Sequence, residues 1–189
     1  MKGKVIVMGV AMLAGVLALW YTQRGKQRDQ LELRYFSREE FGAYWPMMSR
    51  DLLLALDDFR HRLGYPVAIS PAPGAIGRPI IGSDGQLTES ESSAEKSYHN
   101  YLLHGEVMAV DVMPKPPHGA TVDERRRWLQ AAKAAGFTGM GLYPDWKPRA
   151  GLHLDVRPDR TPTNPATWAG VRNEQGKQVY VGIDKALVA

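Results

Sequence analysis

Two short segments, His104-Gly-Glu-Val-Met-Ala-Val-Asp111 and Gly151-Leu-His-Leu-Asp-Val-Arg157, constrain this chain most. Each sets metal-ligating side chains into an alternating apolar run. In a strand, residues two apart share a face. His153 and Asp155 therefore project together, while Leu152, Leu154 and Val156 face the core. Asp111 shares its face with Val107 and Ala109, and Met108, Val110 and Val112 point the other way. Two adjacent strands of this kind can bring a histidine, Asp111 and His153 to one point. Two imidazoles and a carboxylate with an open fourth position make the ligand set of a catalytic zinc.

Composition narrows the alternatives. The chain has no cysteine, so disulfides and thiolate metal sites are excluded, and any metal must be held by carboxylates and the five histidines. A hydrophobic content of 44% is ordinary for a globular domain, and 189 residues suffice for one core after an N-terminal apolar segment is set aside. The net charge of +4 suits an anionic envelope or membrane surface. No dense Lys/Arg run with aromatics marks a nucleic-acid site, so none is expected.

Residues 1–28 read as a membrane segment. Lys2 and Lys4 precede an uncharged run from Val5 to Gln23, and Arg24, Lys26 and Arg28 follow it. The run is close to the ~20 residues that span a bilayer, and Trp20 and Tyr21 sit where amphipathic rings favour the interface. Leu17-Ala18-Leu19-Trp20 is a poor signal-peptidase site, which favours an uncleaved single-pass anchor over a signal peptide. Residues 29–36 read as a linker and 37–189 as one domain.

Within that domain, Ser37-Arg-Glu-Glu40 is a capping box. Leu52, Leu53, Leu56, Phe59 and Leu63 repeat at helical spacing over Ser49–Leu63, with Gly64 as the stop. Pro66–Ser70 reads as a strand, and Pro71–Lys96 as a long loop of the kind that forms functional lids, with Arg78 inside it. A strand over Val107–Met113 follows. Thr121-Val-Asp-Glu124 opens a helix that ends at Gly136. Thr138–Tyr143 and Gly151–Val156 are strands joined by Pro144-Asp-Trp-Lys-Pro148, and Val171-Arg172 with Val179–Val181 form a hairpin around Asn173–Gly176. The expected fold is α+β: a small, largely antiparallel sheet with flanking helices, preceded by an N-terminal transmembrane helix.

Ser97-Tyr-His99, Gly105, Ala109-Val-Asp111 and His153 occur in an order that resembles the zinc D-Ala-D-Ala carboxypeptidase and murein endopeptidase group, peptidase family M15, whose fold is shared by the hedgehog signalling domain. Leu63–Ser70 and Gly136–Pro144 are also similar to passages of that family, and the resemblance runs from about Asp51 to Arg157. The family spaces its first histidine and its aspartate as His104 and Asp111 are spaced, yet its Ser-x-His signature falls on His99. The resemblance therefore implies either His104 or His99 as first ligand, with Asp111 and His153 as the others. It also implies a peptidoglycan peptide as substrate, and the globular domain outside the cytoplasm.

A zinc-bound water needs a general base. Asp155 is the first candidate because it shares a strand face with His153; Asp145, Glu106 and the spare histidine follow. Asp155 has a second reading, as the group that orients a ligand imidazole. Arg78 is a candidate to pair with a substrate carboxylate or an oxyanion, although no spacing fixes its position. His61 and His118 read as surface residues, and Trp128, Trp146 and Trp168 as packing, with Trp146 beside the site. Two functions follow: a membrane-tethered zinc peptidase of the cell wall, or a non-catalytic zinc-stabilised module that binds wall peptides or a partner protein.

Overall fold

The computed structural model describes residues 30–78 and 97–187. The apolar run Val5–Gln23 and most of the long loop after Arg78 lie outside them. Among the described residues, no helix is long and apolar enough to cross a membrane. Leu33–Ala189 forms one compact unit.

The expected linker is packed from Leu33 onward. Phe36 is buried, and the Asp57 carboxylate accepts hydrogen bonds from the Tyr35 N–H (2.8 Å) and Arg34 Nε (3.0 Å). The Ser37 N–H is capped by Glu40 at 2.9 Å, but only the 3₁₀ turns Arg38–Glu40 and Gly42–Met47 follow. Pro46 within the second turn keeps it from becoming an α-helix.

Helix α1 spans Arg50–Leu63 and stops at Gly64, whose φ of 72° is the left-handed cap that glycine adopts without strain. Its stripe of Leu52, Leu53, Leu56, Phe59 and Leu63 is almost wholly buried, each side chain contributing about 1.5–3 kcal/mol of apolar burial. Helix α2 is a single turn, Tyr101–His104. Helix α3, Val122–Ala134, opens on Thr121, whose Oγ1 accepts from the Glu124 N–H. α1 and α3 pack together. Trp128 on α3 is fully buried, and its Nε1 donates to Tyr65 Oη at 2.7 Å.

Six strands form one sheet in the order β1-β2-β4-β3-β5-β6. They are β1 (Val67–Ile69), β2 (Ala109–Pro114), β3 (Gly139–Tyr143), β4 (Gly151–Asp155), β5 (Ala166–Arg172) and β6 (Gln178–Val181). All pairings are antiparallel except β3 with β5. Strand alternation sorts the sheet into two faces. Val110, Val112, Met140, Leu142, Leu152 and Leu154 make the buried core face.

The opposite face carries polar rows fixed by register. Asp111 lies opposite His153, His153 opposite Gly141, and Gly141 opposite Trp168, so one row crosses four strands. The next row is Ala109, Asp155, Gly139 and Ala166. The two β3 glycines leave room for their neighbours: a Cβ on Gly139 would fall on the Asp155 carboxylate, and one on Gly141 on the Trp168 indole. Gly139→Ala is expected to cost about 1–3 kcal/mol through overpacking. Gly182→Ala, where a Cβ meets nothing within 4 Å, should stay within about 0.5 kcal/mol of wild type. Urea unfolding of both variants checks this.

Candidate metal centre

His99, Asp111 and His153 meet on the polar face and are the group, among the described residues, able to hold a metal ion. Strands β2 and β4 deliver Asp111 and His153 as cross-strand partners. His99 comes from outside the sheet. It is buried immediately before the α2 turn and held by two bonds to the Gly74–Arg78 segment: its carbonyl accepts from the Arg78 N–H (2.9 Å), and its Nδ1 donates to the Ile76 carbonyl (2.8 Å).

His104, which the seven-residue spacing to Asp111 favours, does not join the cluster. Asn100 caps α2 by accepting from the Leu102 and Leu103 N–H groups. Gly105 ends the turn at φ 77°. The turn takes up the extra residues between the Ser-x-His signature and β2 and carries His104 off, where its ring stacks on Tyr98 at 4.6 Å. His99, and not His104, is therefore the histidine that meets Asp111 and His153.

Both imidazoles have one nitrogen committed elsewhere. A carbonyl only accepts, so His99 Nδ1 carries the proton toward Ile76 and Nε2 faces the cluster as a bare lone pair. His153 Nε2 donates to Asp155 Oδ2 at 3.0 Å, which turns Nδ1 inward. The three inward atoms, His99 Nε2, His153 Nδ1 and Asp111 Oδ1, are 3.1, 3.0 and 3.3 Å apart. Lone pairs at such distances repel unless a proton or a cation lies among them.

Titration behaviour follows from this crowding. Burial pulls the His99 imidazole below its ordinary value, against the pull of Asp111. Burial also acts to lower His153, but the hydrogen bonds it donates to Asp111 and Asp155 outweigh it and raise His153 to about 9. Burial would raise Asp111, yet His153 and His99 hold it well below the carboxylate range.

Asp155, expected as general base or as the group that orients a ligand imidazole, bonds the His153 ring and Arg157. It has no exposed surface. Oδ1 accepts from the Arg157 N–H (3.2 Å) and Nε (2.8 Å), and Oδ2 accepts from Arg157 Nη2 (2.5 Å) as well as from His153. Burial opposes ionisation, but Arg157 and His153 bring Asp155 down to about 2. Both oxygens are thus occupied, and no lone pair points toward solvent. Of the weaker base candidates, Asp145 accepts from the Arg172 N–H, and neither Asp145 nor Glu106 lines the cleft.

Arg78 reaches the cluster. Its Nη2 lies 3.5 Å from Asp111 Oδ2, its Nε donates to the Gly74 carbonyl, and the side chain is 40% exposed. The cleft over the cluster has a volume of about 690 Å³. Tyr98, Arg157 and Trp168 line it beside the ligands, and Tyr143, Trp146, Gln178 and Tyr180 line the rest. Trp146 and Trp168, read from sequence as packing, are cleft residues. The Gly139-x-Gly141 pattern opposite His153-x-Asp155 was the signal available for this crowded face. His61 and His118 lie outside the cleft.

No family model, curated protein or solved structure matches the chain.

Because His153 carries a proton in the metal-free protein up to about pH 9, metal binding at pH 7.5 should release about one proton. The sign is fixed: protonated His153 stabilises the metal-free fold below its ordinary value near 6.5, and this is lost as pH rises through 9. Metal affinity should therefore climb with pH over that window. Calorimetric titration with a divalent ion in buffers of different ionisation enthalpy reads the proton count directly.

Proposed function

We propose that the protein is a zinc-dependent peptidase acting on the peptides of bacterial peptidoglycan, a member of the M15 group with a hedgehog-like domain outside the cytoplasm, held to the membrane by its N-terminal segment. The observation that carries this reading is the donor triangle. Ligand atoms ~2.0–2.1 Å from a tetrahedral zinc are roughly 3.3 Å apart, and the three inward atoms stand at 3.0–3.3 Å. Two neutral imidazoles and a carboxylate are a hydrolytic zinc's ligands, and three protein ligands leave one position for water.

Zinc bound there supplies a water of lowered pKa and a Lewis acid for the scissile carbonyl. The protein's residues do the rest. Asp155, fixed by Arg157, holds the His153 ring and its tautomer. Ile76 does the same for His99. Arg78, with an exposed guanidinium beside Asp111, is placed to pair with a substrate carboxylate or a developing oxyanion.

A second reading, the non-catalytic zinc-stabilised module, is favoured by one observation. Among the described residues lining the cleft, Asp111 is the sole carboxylate, so none is left over to take a proton from water. The experiment that separates the two is incubation of zinc-loaded full-length protein with purified peptidoglycan. The peptidase reading expects new amino termini to accumulate, to cease with a chelator and to return with zinc. Arg78→Ala should lower kcat/KM by about 10²–10³-fold with zinc content intact. Stoichiometric zinc without any released amine supports the binding module.

A further inference from the structure

The end of the cleft away from the ligands is built, and the metal chemistry does not use it. Beyond the His153 row, β4 and β5 carry glycines on the cleft face. A Cβ on Gly170 would collide with the Tyr143 ring, and one on Gly151 would meet the Val112 carbonyl at 2.6 Å and Trp146 at 2.7 Å. Tyr143 and Trp146 can therefore lie against the bare sheet, stacked with centroids 4.1 Å apart and planes 14° apart. Tyr143 is fixed further by its hydroxyl, which accepts from Trp168 Nε1 at 3.0 Å. Trp146 keeps part of its surface in the cleft. On β6, Tyr180 is 62% exposed, and its hydroxyl accepts from the Gln178 amide at 3.3 Å.

Exposed aromatic rings lining a cleft mark a binding surface. This one is a shelf and not an enclosed pocket, and its polar groups are neutral: a phenol and a carboxamide, each with spare hydrogen-bonding capacity. Among the described residues that line this end of the cleft none is charged, and an apolar side chain finds no closed cavity. A pyranose ring has the matching chemistry: an apolar C–H face for the indole and phenol, and a rim of hydroxyl and acetamido groups for Gln178. We propose that Trp146, Tyr180 and Gln178 form a saccharide subsite next to the metal centre. It rests on the peptidoglycan reading in one respect, that a glycan then lies beside the peptide being cut.

The test is titration of zinc-stripped full-length protein with a β-1,4-linked tetramer of N-acetylglucosamine, followed by tryptophan fluorescence. Trp45 and Trp128 are buried, so among the described tryptophans the cleft pair responds. The expected result is a saturable change, with binding about tenfold weaker in Trp146→Ala. Tyr180→Ala, at an exposed position that leaves the core intact, should weaken it as well. No saturable response by about 10 mM sugar, or equal responses in wild type and both variants, overturns the proposal. So does competition in which a stem peptide without sugar, and not the tetramer, depends on the two rings. Because zinc is absent, the readout is independent of hydrolysis: amine release without sugar binding sinks the subsite alone, and sugar binding without amine release sinks the peptidase alone.

Discussion

The site depends on His153 being held at both ring nitrogens. Asp155 accepts a hydrogen bond from Nε2–H, and this turns Nδ1 toward Asp111 and His99. Arg157 occupies both oxygens of Asp155, so the carboxylate stays ionised despite complete burial. Without Arg157 the buried charge would be costly, and without Asp155 the imidazole would be free to choose its tautomer. The chain Arg157–Asp155–His153 thus turns a strand's alternation into a fixed Nδ1 in the donor triangle, which a metal can take once its proton leaves.

The fold supports that arrangement by leaving things out. β3 runs beside β4 with glycines opposite Asp155 and His153, and a larger residue at either would displace a carboxylate or an indole that the site needs. Glycine weakens a strand interior by removing packing and adding backbone entropy to be lost. Here that cost falls on one face, while Met140 and Leu142 between and after the glycines anchor the same strand in the core. The ring of Trp168 lies 5.3 Å from that of His153 and receives Arg157 at 5.2 Å.

Much of this was legible in the sequence, for local reasons. Period-two alternation was enough to place Asp111 and Asp155 on faces shared with their neighbours and to pair His153 with Asp155. The spacing of Leu52, Leu56, Phe59 and Leu63 with Gly64 marked α1, and Thr121 with Glu124 marked the start of α3. The rest was set by contacts distant along the chain. Whether His99 or His104 joins the cluster is decided by an Asn100-capped turn and by Ile76, and no spacing rule encodes either. The parallel pairing of β3 with β5 leaves no mark on the strands themselves. Trp128 and Trp146 look alike in sequence, yet one is sealed beneath Tyr65 and the other lies in the cleft, because glycines two strands apart cleared a surface for it.

The most direct measurement is anomalous diffraction at the zinc edge from crystals of the zinc-loaded protein. This account predicts one strong site within about 2.0–2.1 Å of His99 Nε2, His153 Nδ1 and Asp111, with Asp155 still bonded to His153 Nε2. An ion bound through His104, or through Nε2 of His153, or no ion among these three residues, would contradict it.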